Sequence, residues 1–144
     1  MTRIDFYIID APRNEARLTL ACRLADKAVE QNHEVLINAE TEADCTRLDE
    51  LLWTFRQNSF LPHRLLSDRT RDDEKEPVLI GCSQEPPDAR WELLINLAPG
   101  VPDFFGRFQR VAELVGPDAE NKSAGRERFR YYRDRGYDLQ THHV

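Results

Sequence analysis

The order of apolar runs along the chain constrains its fold more than any single residue does. Ile4–Ile9 is compact and apolar (Ile-Asp-Phe-Tyr-Ile-Ile) and is closed by Asp10-Ala-Pro12, which suits a first strand. From Asn14 to Gln31, Leu18, Ala21, Leu24, Ala25, Ala28 and Val29 recur at helical spacing, the pattern of an amphipathic helix. After a short Asn32-His33 turn, Glu34–Asn38 reads as a buried strand. Thr41 is placed to N-cap the next helix with Asp44 three residues on, and Leu48, Leu51, Leu52 and Phe55 form its stripe. Strand, helix, strand and helix in tight succession require parallel pairing, so the chain is expected to be α/β.

The remainder fits that scheme. Arg56–Glu76 is the least regular stretch, and its charged run 67–76 reads as a solvated loop. Pro77–Cys82 and Trp91–Leu97 are two more strand-like runs around a Pro-Pro turn. A turn is expected at Asp103–Arg107 and a strand over Phe108–Leu114, with Phe108, Arg110, Ala112 and Leu114 on one face and Gln109, Val111 and Glu113 on the other. A last helix runs from about Pro117 to Arg135, with Pro117 at an early position and Gly136 at its end. The tail 137–144 is expected to be partly mobile. With 144 residues the chain is one domain, 1–144, built in three layers around a mostly parallel sheet.

An α/β sheet invites a nucleotide, and the sequence argues against one. The first strand-to-helix connection, Asp10-Ala-Pro-Arg-Asn14, has no glycine, and neither GxGxxG nor GxxxxGK[ST] occurs. The fold is therefore expected to be Rossmann-like without a nucleotide-binding loop. No GxSxG or HExxH is present. Asp49 and Glu50 are adjacent on a helix and diverge by roughly 100°, which reads as a solvated face, not an acid/base pair. His33, His63, His142 and His143 read as surface or turn histidines, and Cys22, Cys45 and Cys82 as buried free thiols of a reducing cytosol. No catalytic residue, metal or cofactor is expected. No apolar run approaches the roughly 20 residues that span a bilayer, so a cytoplasmic protein is expected.

Charge is distributed unevenly. The chain holds 20 Lys and Arg against 26 Asp and Glu, net −6; residues 122–144 hold 6 against 3, which leaves −9 on the rest. A cationic patch on an anionic body attracts an acidic peptide locally while the body repels long polyanions. Lys122, Arg126, Phe129, Arg130 and Arg133 share one broad helical face, the residue types of an acidic-peptide pocket with an aromatic slot. The bland alternative is a surface helix whose basic residues complement its dipole. Direct single-strand binding would use the same residues but suits the negative body less well. Trp53 and Phe60, with Leu52 and Pro62 nearby, are either core or an exposed aromatic patch of the kind enriched at interfaces.

In order along the chain, Phe6-Tyr7-Ile8-Ile9-Asp10, Arg47-Leu48-Asp49-Glu50-x-Leu52-Trp53, Ser59-Phe60-x-Pro62-His63 and Arg126-Glu-Arg128-Phe129-x-x-Tyr132-Arg133-x-x-Gly136-Tyr137-x-Leu139 resemble the chi subunit family of bacterial DNA polymerase III. The resemblance implies a non-catalytic accessory subunit with an α/β fold related to nucleotide-binding folds. It implies pairing with the psi subunit, which tethers chi to the clamp loader. It also implies binding to the acidic, phenylalanine-ended tail of single-stranded DNA-binding protein, so that contact with nucleic acid is mainly indirect. Some members bind an XPD-like helicase through the psi surface. Carried over by residue, Trp53 and Phe60, with Leu52 and Pro62, match the psi surface. Lys122, Arg126, Phe129 and Arg130, with Arg133 and with Val115 near the apolar floor, match the tail surface. The family commonly has tyrosine where this chain has Phe129, so the ring is kept and a hydroxyl is lost.

Overall fold

The computed structural model describes residues 2–10, 15–54, 61–66, 76–82, 86 and 91–144. The described elements are strands β1 (Arg3–Ile8), β2 (Val35–Asn38), β3 (His63–Leu65), β4 (Val78–Gly81), β5 (Trp91–Asn96), β6 (Phe108–Val115) and β7 (Asp138–His143), with helix α1 (Ala16–Glu30) after β1, α2 (Glu42–Thr54) after β2 and α3 (Ala119–Asp134) after β6. Among the described residues they form one sheet in the order β3-β4-β2-β5-β6-β1-β7. Every neighbouring pair is parallel, so the sheet is wholly and not mostly parallel.

Strand alternation sorts the apolar side chains into two cores. Val35, Ile37, Val78, Ile80, Ile95, Ala112 and Leu114 pack under α1 and α2. Ile4, Phe6, Leu36, Leu79, Leu94, Val111 and Val115 pack on the other face with Tyr132 of α3 and with Phe105 of a short 3-10 turn, Phe105–Arg107. Burial on both faces explains why β2 and β4 read as unbroken apolar runs. The expected alternation holds over Val111–Leu114, while Phe108 joins the α3 side.

The helix ends follow their caps. Thr41 Oγ1 accepts from the Asp44 amide at 3.1 Å and opens α2. The Asp118 carboxylate accepts from the Asn121 amide at 3.2 Å and opens α3, so Pro117 lies before the cap and not inside the helix. Gly136, at φ 79°, releases the chain from α3 into β7.

Two expectations are corrected. Within Arg56–Glu76, His63–Leu65 is an edge strand paired with Val78–Ile80; the charged run 67–75 lies outside the described residues. The tail is not loose beyond Gln140. It is β7, in register with β1 from Arg3↔Asp138 to Ile8↔His143. His142 Nε2 lies 2.9 Å from the buried Asp5 carboxylate, and its ring stacks on Tyr7 at 4.8 Å. Burial works against the charged form of Asp5, but His142, Arg3 and Arg110 hold its carboxyl below the usual range.

A buried polar network fixes α3 to the sheet. Glu113 on β6 is fully buried; it accepts from Arg128 Nε at 2.7 Å, from the Tyr132 hydroxyl at 2.7 Å and from Asn96 Nδ2 at 2.9 Å. Arg128 also donates to the Pro99 carbonyl at 3.0 Å. Gly125 then lets the helix approach the sheet: a Cβ there would meet Val115 Cγ2 at 2.9 Å.

Candidate functional site

Because α3 leaves the outer part of β1 and β7 uncovered, a cleft of about 350 Å³ opens between them. Its floor is apolar: Phe6 and Ile8 from β1, Val115 from the end of β6, and Phe129 from α3. The Phe6 and Phe129 rings meet edge to face at 5.3 Å, which sets the aromatic wall. Lys122 and Arg126 line the same cleft one helical turn apart. Both are exposed, and among the described residues neither has an ionic partner. Gly125 between them keeps the cleft open. The arrangement suits a ligand with an apolar group to bury and a carboxylate to pair.

Of the residues read as a peptide pocket, Val115, Lys122, Arg126 and Phe129 come together here. Arg130 and Arg133 do not line the cleft. Arg130 pairs with Glu127 at 2.8 Å and Arg133 with Asp134 at 3.2 Å on the exposed side of α3. Sequence reasoning missed Phe6 and Ile8, which read as core strand. It also missed Asp10, just beyond β1, and Thr141, within β7, which line the cleft. Recognising 138–143 as a strand would have brought Thr141 into view.

The second candidate surface lies on the opposite side of the sheet. Trp53, at the end of α2, is 49% exposed. Its indole rests edge-on against the His63 ring, centroids 5.0 Å apart. Pro62, which precedes His63 in the chain, is exposed. Leu52 is fully buried in the core under α2 and offers nothing to a partner; neighbours on a helix diverge, and Leu52 faces the sheet where Trp53 faces out. Phe60 lies outside the described residues. Two further readings change. His63 is not a surface histidine, since its side chain is 1% exposed, and Asp49 is its partner at 3.0 Å.

The thiols are free; Cys22 and Cys45 are buried and Cys82 is partly exposed. Burial pushes the Cys22 and Cys45 thiols up to about 12. Among the described residues no cluster of three or more His, Cys, Asp or Glu could hold a metal ion, and no helix is long and apolar enough to cross a membrane.

Residues 1–140 match the family described as DNA polymerase III chi subunit, HolC. The chain belongs to that family. The chi subunit of Pseudomonas aeruginosa DNA polymerase III is 44% identical over 144 residues, covering 100% of this chain and 98% of its own. The Haemophilus influenzae chi subunit is 33% identical, over 97% of this chain and 96% of its own, and that of Escherichia coli 32%, over 98% and 97%. Membership makes the chain an accessory subunit of a replicative polymerase assembly. A solved chain of T4 UvsW shares the fold alone, at a TM-score of 0.73 and 11% identity, over 99% of this chain and 41% of its own.

Proposed function

We propose that this chi-family chain is a non-catalytic tether, acting in the cytoplasm at the replisome. It binds the acidic, phenylalanine-ended tail of single-stranded DNA-binding protein in the α3 cleft. On the other side of the sheet it pairs with the psi subunit, and through psi with the clamp loader. The observation that carries the reading is the pairing of an apolar floor with two cations, Lys122 and Arg126, that have no ionic partner among the described residues. A cleft of about 350 Å³ lies within the size range of ligand pockets. A terminal phenyl group would fill the slot between Phe6, Val115 and Phe129, and its carboxylate would meet Arg126 or Lys122. Arg130 and Arg133 would steer the acidic residues upstream, more weakly because Glu127 and Asp134 already partner them. Such a peptide binds weakly alone, at about micromolar strength. Several tails on one coated strand raise the effective affinity.

On the psi side, Trp53 and Pro62 are the accessible members, with Leu52 supporting α2 from the core. An XPD-like helicase using the same indole would exclude psi, so the two would compete.

The test is calorimetric titration with a short acidic peptide ending in Asp-Phe-x-Pro-Phe. Arg126→Ala should weaken binding by about 1–3 kcal/mol, the worth of a charge-assisted contact. No binding by the folded wild type would sink the reading. Tight binding of single-stranded DNA by the chain alone, with a steep salt slope, would favour direct nucleic-acid contact instead.

A further inference from the structure

β7 is the end strand of the sheet, so one of its long edges is free among the described residues. Which backbone groups lie on that edge follows from the pairing. In a parallel pair, a residue that bonds to the neighbouring strand does so through both its N–H and its C=O, and alternate residues turn both away. Val144, just beyond β7, donates to the Ile8 carbonyl at 3.0 Å and accepts from the Asp10 amide at 3.5 Å. By the same alternation His142, Gln140 and Asp138 face β1. Leu139, Thr141 and His143 turn their N–H and C=O outward, where no described strand meets them. Unpaired groups of this kind are a template for an added strand.

The side chains of Leu139 and Thr141 turn to the α3 face of the sheet: Leu139 packs on the core there and Thr141 lines the cleft. The open edge and the cleft are thus continuous through Thr141. Register gives the direction of a chain that passes from one to the other. Thr141 lies level with Phe6, on which Phe129 rests, and Leu139 lies level with Ile4, nearer the amino ends of the strands. α3 runs against the strands, since Gly125 abuts Val115 at the end of β6 while Phe129 reaches back to Phe6. Its later cations, Arg130 and Arg133, therefore stand toward the Leu139 end. More than half of each is exposed, with one carboxylate of the same helix beside it. The one acidic side chain of β7, Asp138, turns to the opposite face.

We propose that the free edge of β7 belongs to the tail site: the acidic segment upstream of the terminal phenyl group pairs with Leu139 and Thr141 as a further strand, parallel to β7. One peptide residue sits opposite Gln140. It donates its N–H to the Leu139 carbonyl and accepts from the Thr141 N–H, as Val144 does between Ile8 and Asp10. The peptide then turns over Thr141 and sets its end in the cleft. That direction carries the upstream carboxylates along Arg130 and Arg133 and brings the terminal one to Lys122 and Arg126. Backbone pairing at the edge adds affinity that no side chain of the peptide supplies. This rests on the reading of the cleft as the site of the tail, and it assigns the part of the peptide that the cleft does not hold.

The experiment is calorimetric titration of the chain with a longer acidic peptide of the same Asp-Phe-x-Pro-Phe end, N-methylated at one upstream backbone amide at a time. N-methylation removes one N–H and leaves every side chain, so a strand laid on an edge is weakened at every second position only. Affinity should fall about three- to tenfold at alternate positions, the worth of one hydrogen bond, and stay within about twofold at the positions between. Thr141→Pro should weaken the unmethylated peptide several-fold relative to Thr141→Ala. Both variants lose the hydroxyl, but only proline lacks the outward N–H, and an edge position whose N–H faces out admits proline. The methylation series stands alone if Thr141→Pro fails to fold. Equal binding, or an equal loss, at every methylated position overturns the proposal and leaves the cleft reading intact. No binding of the unmethylated peptide by the folded chain overturns both. A dimer in sedimentation that the peptide does not dissociate would give the edge to a second copy of this chain and would also overturn the proposal.

Discussion

Arg128→Met tests whether the buried ion pair fixes α3. Arg128 is 3% exposed, and its Nε donates to the fully buried Glu113 at 2.7 Å. Burial pushes the Glu113 carboxyl above the usual range, and the Arg128 charge is the largest influence opposing it. Methionine fills similar length without a charge and leaves the carboxylate with only Tyr132 and Asn96 as donors. Stranding one member of a buried pair costs about 3–5 kcal/mol. At roughly 2.1 cal/mol/K of unfolding entropy per residue, a loss near 4 kcal/mol lowers Tm by about 13 °C for a chain of this length. The loss should depend on pH with a defined sign. The variant raises the folded-state pKa of Glu113 further above its unfolded value of about 4.3. The unfolded chain titrates alike in both proteins, so the extra loss is smallest while the folded carboxyl is protonated in both and grows as pH rises from the wild-type folded pKa toward the variant's. Urea unfolding of variant and wild type at pH 5 and pH 8 gives the difference directly. A deficit under about 1 kcal/mol at pH 8, or an equal deficit at both pH values, would refute the reasoning. The double variant Glu113→Gln/Arg128→Met should recover part of the loss, since a neutral amide is left in place of a buried charge.

Three further outcomes follow from the geometry. Gly125→Ala places a Cβ 2.9 Å from Val115 Cγ2. Overpacking of about 1–3 kcal/mol then exceeds a helix-propensity gain near 1 kcal/mol, so stability falls on denaturation, and adding Val115→Ala restores it. Trp53→Ala should abolish psi binding in pull-down while the acidic peptide titrates within about twofold of wild type, because α2 and α3 lie on opposite faces of the sheet. A simultaneous loss of both would mean that the variant unfolds and would refute a role for Trp53 confined to an interface. With thiols pushed up to about 12, Cys22 and Cys45 should resist a disulfide reagent at pH 8 until urea unfolds the chain, whereas the partly exposed Cys82 reacts first.

The elements legible in the sequence are those whose residues are buried by their own pattern. Val35–Asn38 and Val78–Gly81 are buried at every position, so composition alone marks them as strands. Leu18, Ala21, Cys22, Ala25 and Ala28 face the core of α1 at helical spacing. The two missed strands owe their pairing to neighbours. Each of the three residues of β3 is only half-buried, and in β7, an almost wholly polar run, only Leu139 and His142 are half-buried while the rest are exposed. Their signal is the free edge of β4 and the free edge of β1, which no local window contains. The cleft was legible by half for the same reason. Lys122, Arg126 and Phe129 announce themselves on one helix face, whereas Phe6, Ile8 and Thr141 join only when β1 and β7 are set beside that helix.

The same comparison explains why a chain with this sheet carries its cleft at an edge. In open parallel sheets ligands bind outside the carboxyl ends of the strands. Among the described residues, the carboxyl ends of β2 and β5 face side chains that bond to the segments just beyond them. Arg17 donates to the Leu97 carbonyl at 2.9 Å and lies 3.9 Å from Glu40, and Arg128 holds the Pro99 carbonyl. The space left between them is about 80 Å³, against the roughly 300 Å³ at which ligand pockets begin. The buried Glu113–Arg128 pair that anchors α3 is part of that filling, because one guanidinium both reaches the carboxyl-end crevice and fixes the helix. With α3 fixed there, its other side stands clear of β1 and β7, and Lys122 and Arg126 border an apolar slot beside Phe129, with no ionic partner among the described residues. The contacts that fill the crevice are thus the contacts that hold the cleft open.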